Sequence, residues 1–142
     1  MERIDISVLM AVYKKDNPAF LRESLESIFS QTVEAAEVVV LEDGPLTDAL
    51  YDVIKSYEAR YSTLKVVSYP ENRGLGKTLN DGLLLCKYDL VARMDADDIC
   101  KPNRLEVEYN WLKAHEDYDV IGSWVDEFTD DKTRVKSIRK VP

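Results

Sequence analysis

Cysteine, histidine and glycine are scarce in this chain of 142 residues, which holds two cysteines, one histidine and five glycines. Cys86 and Cys100 cannot make the dense disulfide framework of a small secreted domain, and no Cys-x-x-Cys pair or Cys/His cluster offers a zinc site. A reducing, cytoplasmic setting is the expectation. Positive charge is also short, with 19 Lys and Arg against 27 Asp and Glu and a formal net charge of −8. Such a surface repels polyphosphate, so a nucleic-acid partner is disfavoured. Long apolar runs are missing too. The stretch Val8 to Tyr13 falls far short of the ~20 residues that cross a bilayer, and the opening Met1-Glu2-Arg3-Ile4-Asp5 lacks the basic-then-apolar layout of a signal peptide.

What is present suits one domain: a 45% hydrophobic content gives a real core, and the length leaves no room for a second full domain. Ile4, Ile6, Val8, Met10 and Val12 alternate as a strand ending near Tyr13. Asn17 caps the helix that follows, Pro18 opens it, and Phe20, Leu21, Leu25, Ile28 and Phe29 recur at helical spacing. Val38 to Leu41 is apolar on both faces, as a central parallel strand requires, and stops at Glu42-Asp43-Gly44-Pro45. Thr47 precedes a second helix through Leu50, Ile54, Tyr57 and Tyr61, and Leu64 to Tyr69 reads as a third strand. Leu75, Leu79 and Leu83 mark a third helix, beside the small residues Thr78 and Gly82 that permit close packing. Tyr88 to Met94 is a fourth strand, Pro102 opens a fourth helix, and Asp119 to Val125 is a short fifth strand.

This alternation predicts the α/β class: a mostly parallel, Rossmann-like sheet with helices on both faces. Ligands of such sheets bind outside the carboxyl ends of the strands. The polar residues expected there are Tyr13, Asp43, Asn72 to Gly74, and the run Asp95-Ala96-Asp97-Asp98.

Three carboxylates within four residues are electrostatically poor unless something cationic joins them. A hard divalent cation, Mg²⁺ or Mn²⁺, fits oxygen ligands in a loop and brings an anionic substrate to an acidic protein. The competing reading is a plain turn, with Asp98 accepting from the backbone of the next helix; Asp97 is the better ligand. Gly76-Lys77-Thr78 imitates the end of a P-loop, but Glu71 stands where its first glycine belongs. Asp95, Asp97 and Glu106 match three calcium-loop positions, but Ile99 and Cys100 break that pattern. A strand followed by Asp-x-Asp also resembles the aspartyl-phosphate phosphatases, which makes a metal-dependent phosphatase using Asp95 and Asp97 the enzyme alternative.

Four segments together carry a more specific resemblance. Ser7 to Tyr13, Glu42-Asp43-Gly44, Glu71-Asn72-Arg73-Gly74 with Asn80 and Gly82, and Val91 to Asp98 resemble family 2 glycosyltransferases in order and spacing. The likeness continues through Arg104 and Ile121-Gly122-Ser123. It implies a GT-A fold, a nucleotide-sugar donor (usually a UDP-sugar), Mn²⁺ or Mg²⁺, and inverting transfer to a saccharide or lipid-linked acceptor, as in surface polysaccharide synthesis. By position, it implies that Ala11 and Tyr13 flank the uracil, Asp43 accepts from the base, and Asn72 and Gly74 line the same pocket. It further places Asp95 and Ala96 by the ribose, with Asp95 also near the metal, and makes Asp97 the metal ligand. Lys77 adds charge near the phosphates or is an exposed helix lysine, and Arg93 pairs with neighbouring carboxylates.

The resemblance implies that residues 1–128 are the nucleotide-sugar-binding portion and that residues 129–142 form a basic tail leading to an acceptor-binding segment. That tail holds five basic residues against Asp130 and Asp131. Members of the family carry an Asp or Glu general base in that later segment, so the base is expected beyond Pro142. Asp126, Glu127, Asp130 and Asp131 match nothing in the family pattern. Two outcomes are compatible with this: an active transferase acting at the cytoplasmic face of a membrane through peripheral association, and a donor-binding fragment inactive alone. His115 is expected to meet helix-terminal carbonyls, and Trp111 and Trp124 to be core or interface aromatics.

Overall fold

The computed structural model describes residues 1–142 except Trp124, Asp130, Asp131, Val141 and Pro142. The expectations placed on Trp124, Asp130 and Asp131 therefore lie outside the described residues. The chain divides into two compact units, Met1–Tyr109 and Asn110–Pro142.

In the first unit, strands β1 (Arg3–Val12), β2 (Glu34–Glu42), β3 (Leu64–Ser68) and β4 (Leu90–Arg93) form one sheet in the order β3-β2-β1-β4. Every pairing is parallel. Helices α1 (Pro18–Phe29), α2 (Asp48–Arg60) and α3 (Leu75–Leu85) connect the strands, and α4 (Arg104–Ala114) follows β4. The local signals behave as their chemistry demands. Asn17 Oδ1 accepts from the Ala19 and Phe20 N–H groups with Pro18 at the first turn of α1, and Thr47 Oγ1 accepts from Leu50 N at the start of α2.

Alternation along β1 splits the core into two layers. Ile4, Ile6, Val8, Met10 and Val12 pack with Val38, Val40 and the buried stripes of α1 and α2, whereas Leu9, Val39 and Leu41 face the opposite side, toward α3. The sheet is thus covered on both faces, as expected. On α3 the buried residues are Thr78 and Gly82, with Leu79 packed beside them, whereas Leu75, Leu83 and Leu84 are exposed. A Cβ at Gly82 would stand 2.5 Å from Leu41 Cδ1 and 2.7 Å from Leu9 Cδ1, so a bare backbone is what lets this helix lie against the sheet.

β4 is shorter than the expected Tyr88–Met94, and Pro102 lies in a turn two residues before α4 begins. In the second unit the expected strand over 119–125 is corrected. Residues 119–123 form no strand; β5 (Val125–Glu127) instead pairs antiparallel with β6 (Ser137–Arg139), tied by Arg139 Nε donating to Glu127 Oε1 at 3.2 Å. A strand exists only where a partner meets its backbone groups, and the partner here is the basic tail itself. His115 does meet a helix-end carbonyl, with Nδ1 2.8 Å from Trp111 O, and its ring stacks on that indole at 4.0 Å. No helix among the described residues is long and apolar enough to cross a membrane.

Candidate donor-binding site

β1 sits between β2 and β4, so the chain winds away from it in both directions and leaves a crevice at the strand tips. A cleft of about 360 Å³ opens there, lined among others by Ala11, Tyr13, Asp16, Asp43, Asn72 and Asp97. Gly74, Asp95 and Ala96 also border it. Lys77, Arg73, Arg93 and Asp98 are apart from the lining, and Lys77 is exposed in the first turn of α3.

Three local devices set this rim. At the β1 tip, Tyr13 N donates to Asp16 Oδ2 (2.9 Å) and Asp16 N donates back to Tyr13 O (3.0 Å), a reciprocal turn that delivers the chain to Asn17. At the β2 tip, Asp43 N donates to Val12 O, and the buried Asp43 carboxylate accepts from Arg73 N at 2.8 Å. Asn72 completes that corner: its Nδ2 donates to Asp43 O (3.4 Å) and its Oδ1 accepts from Gly74 N (3.2 Å). The Arg73 guanidinium is drawn away from the cleft, paired with Asp81 and stacked 4.2 Å over the Tyr69 ring.

At the β4 tip, Met94 N still donates to Leu9 O before the chain turns, and Asp98 N donates to Asp95 O. This turn brings carboxylate oxygens of Asp95, Asp97 and Asp98 within 4.8 Å of one another. Arg93 Nη2 donates to Asp95 Oδ1 at 3.1 Å, the expected pairing, but both groups are exposed and the contact adds little stability. The negative charge is felt by its neighbours. Burial, followed by repulsion from Asp97 and Asp95, pushes the Asp98 carboxyl above its ordinary range. The Asp16 carboxyl is raised for the same reasons, burial first, against a lowering hydrogen bond from the Tyr13 backbone. Three hard carboxylate donors this close together are the donor set that suits Mg²⁺ or Mn²⁺.

The competing reading has Asp98 accept from the next helix, yet at the start of α4 Leu105 N donates to Gln31 Oε1 of the loop after α1, at 3.0 Å. Asp16 is the cleft residue that sequence reasoning missed. Its signal was an Asp three residues past a strand end and directly before a capped helix. Cys100 is buried beside the acidic loop, and burial pushes its thiol up, which removes it as a nucleophile.

Comparison with known proteins agrees with this architecture. The model of glycosyl transferase family 2 matches residues 7–141. The chain is 45% identical over 136 residues to an uncharacterized glycosyltransferase of Haemophilus influenzae, covering 96% of this chain and 51% of that protein. It is 43% identical to the Escherichia coli UDP-Gal:alpha-D-GlcNAc-diphosphoundecaprenol beta-1,3-galactosyltransferase, covering 96% and 49%. Among solved structures, S. aureus TarS 1-349 in complex with UDP-GlcNAc superposes with a TM-score of 0.68 at 25% identity, over 80% of this chain and 32% of that one. A mannosyltransferase of Pyrobaculum calidifontis in complex with GDP-Man and Mn²⁺ shares the fold, with a TM-score of 0.64 at 24% identity, over 76% of this chain and 32% of that one. The chain spans about half the length of the curated relatives it matches. With its sheet order, its strand-tip cleft and a family match over residues 7–141, the chain belongs to glycosyl transferase family 2 and has its GT-A-like fold.

Proposed function

We propose that these residues form the donor-binding part of a metal-dependent, inverting glycosyltransferase that takes its sugar from a UDP-sugar. The observation that carries the reading is the meeting of Asp43, Tyr13 and the Asp95 and Asp97 carboxylates in one cleft, although they come from three separate strand tips. A nucleoside diphosphate has matching ends. Tyr13 and Ala11 flank the base, Asp43 accepts from it, and Asn72 and Gly74 close that side. Asp95 and Ala96 meet the ribose, while Asp97, with Asp95, holds Mn²⁺ or Mg²⁺. When bound, such a cation stabilises the charge left on the diphosphate as the sugar departs.

The UDP choice draws support from the UDP-Gal in the name of the Escherichia coli relative and from the UDP-GlcNAc complex of TarS. The same relative's lipid-diphosphate substrate, together with the amylovoran biosynthesis glycosyltransferase AmsE of Erwinia amylovora, supports a saccharide or lipid-linked acceptor in polysaccharide synthesis. Because the chain spans half of such relatives, the donor-binding role is assigned to these residues and the transfer to the whole protein.

Calorimetric titration with UDP, with and without Mn²⁺, tests the reading. Binding strengthened by Mn²⁺ supports it; binding indifferent to Mn²⁺ rejects the metal-dependent site. UDP release from UDP-sugars in the presence of acceptors then separates an active transferase from a donor-binding portion that is inert alone.

A further inference from the structure

We infer that Ser24, Ser27 and Gln31, on α1 and just past its end, are positioning residues for the acidic loop: they hold its backbone so that the Asp95, Asp97 and Asp98 carboxylates stand ready for a divalent cation. The inference rests on the donor-site reading above and adds to it the part of the chain that sets the loop's shape.

Positions 24, 27 and 31 fall on one line along a helix, three and four residues apart. Ser24 and Gln31 are as buried as the leucines of α1, at 0% and 2% exposure. Burying such groups is costly unless each polar atom finds a partner. Every one finds it in the segment after β4. Ser24 Oγ donates to Asp95 O at 3.0 Å, and Ser27 Oγ accepts from Cys100 N at 2.9 Å. Gln31 Nε2 donates to Lys101 O at 2.8 Å, while its Oε1 accepts from Leu105 N.

The pattern of partners separates positioning from simple core filling. Leu21, Leu25 and Ile28 already fill the core from the same helix, and apolar residues at 24 and 27 would do so without polar atoms to satisfy. The ladder grips only main-chain atoms, at the first residue of the loop and at its exit, and so leaves the carboxylates to a ligand. Mutual repulsion within 4.8 Å would otherwise spread the three side chains and the loop with them. A preset loop spares the ligand the cost of gathering those charges.

The test measures Mn²⁺ affinity of the purified protein by electron paramagnetic resonance, and UDP and uridine affinity by calorimetry. Ser27→Ala, at a half-buried position, should weaken Mn²⁺ binding and Mn²⁺-dependent UDP binding by about tenfold, and leave uridine binding unchanged. Ser27→Thr, which keeps the hydroxyl, should restore both, and Ser24→Ala should repeat the loss. Ile28→Val lowers the melting temperature from the same helix and should leave Mn²⁺ affinity intact. Unchanged Mn²⁺ affinity in Ser27→Ala, no recovery in Ser27→Thr, or an equal loss in Ile28→Val would overturn the inference. If the unsubstituted protein binds UDP equally with and without Mn²⁺, the donor-site reading fails and takes this inference with it.

Discussion

Gly44 and Asn72 touch through their backbones: a Cβ built on Gly44 would lie 2.6 Å from the Asn72 nitrogen, and Gly44 has φ +86°. Both facts exclude any other residue without movement of the segment that carries Asn72, Arg73 and Gly74. Gly44→Ala should therefore destabilise the protein by about 1–3 kcal/mol, read by thermal denaturation, and should weaken UDP binding whether or not Mn²⁺ is present. Gly74 provides the contrast, since its φ is also positive but nothing stands within 4 Å. Gly74→Ala should therefore cost backbone strain alone, without the clash that Gly44→Ala adds.

At the β4 tip, the donor site predicts a metal-specific loss. Asp97→Ala should remove the gain in UDP affinity that Mn²⁺ gives, by roughly tenfold or more, the scale of a charge-assisted contact. Uridine binding should stay as it was. Calorimetry of the two ligands in parallel checks this, and a loss in both would move Asp97 out of its assigned role.

Asp43 should behave in the opposite way. Asp43→Ala removes the acceptor on the base side and should lower UDP and uridine affinity by about tenfold, with or without Mn²⁺. Asp43→Asn keeps an oxygen for Arg73 N and so tests whether the loop contact or the base contact is the one lost.

Glu37 predicts a pH dependence of stability far from the cleft. Burial by itself pushes this carboxyl up, but hydrogen bonds from Ser7 Oγ (2.7 Å), Lys87 N and Lys65 Nζ (3.0 Å) outweigh it and hold the group below its ordinary range. A carboxyl lowered on folding contributes stability that is present above its unfolded value and lost as pH falls through the folded one. The stability read by urea unfolding should therefore fall on the acid side of ordinary carboxylate titration. Glu37→Gln should be less stable at neutral pH by about 1–3 kcal/mol and flatter in acid.

The elements legible in the sequence were those written in short-range chemistry. Asn17 and Thr47 cap the helices they precede, and the alternation in β1 reports two buried faces within ten residues. The strand tips were equally legible, because Asp43 and Asp95 each follow an apolar run. Long-range partners were not. Nothing near Gln31 in the sequence says that it satisfies Leu105, and nothing in Val120 or Ile121 says that no strand will pair with them. The small residues of α3 were legible in their role, since Thr78 and Gly82 do give the close packing their size permits, but the exposure of Leu75 and Leu83 was not.

The order β3-β2-β1-β4 also acts as a gauge. With neighbouring strands about 4.8 Å apart, the tips of β2 and β4 stand about 10 Å from each other, with the end of β1 as the only floor between them. A molecule that engages Asp43 and the aspartate cluster at once must bridge that interval. A free phosphate is too short to do so and would occupy only one bank.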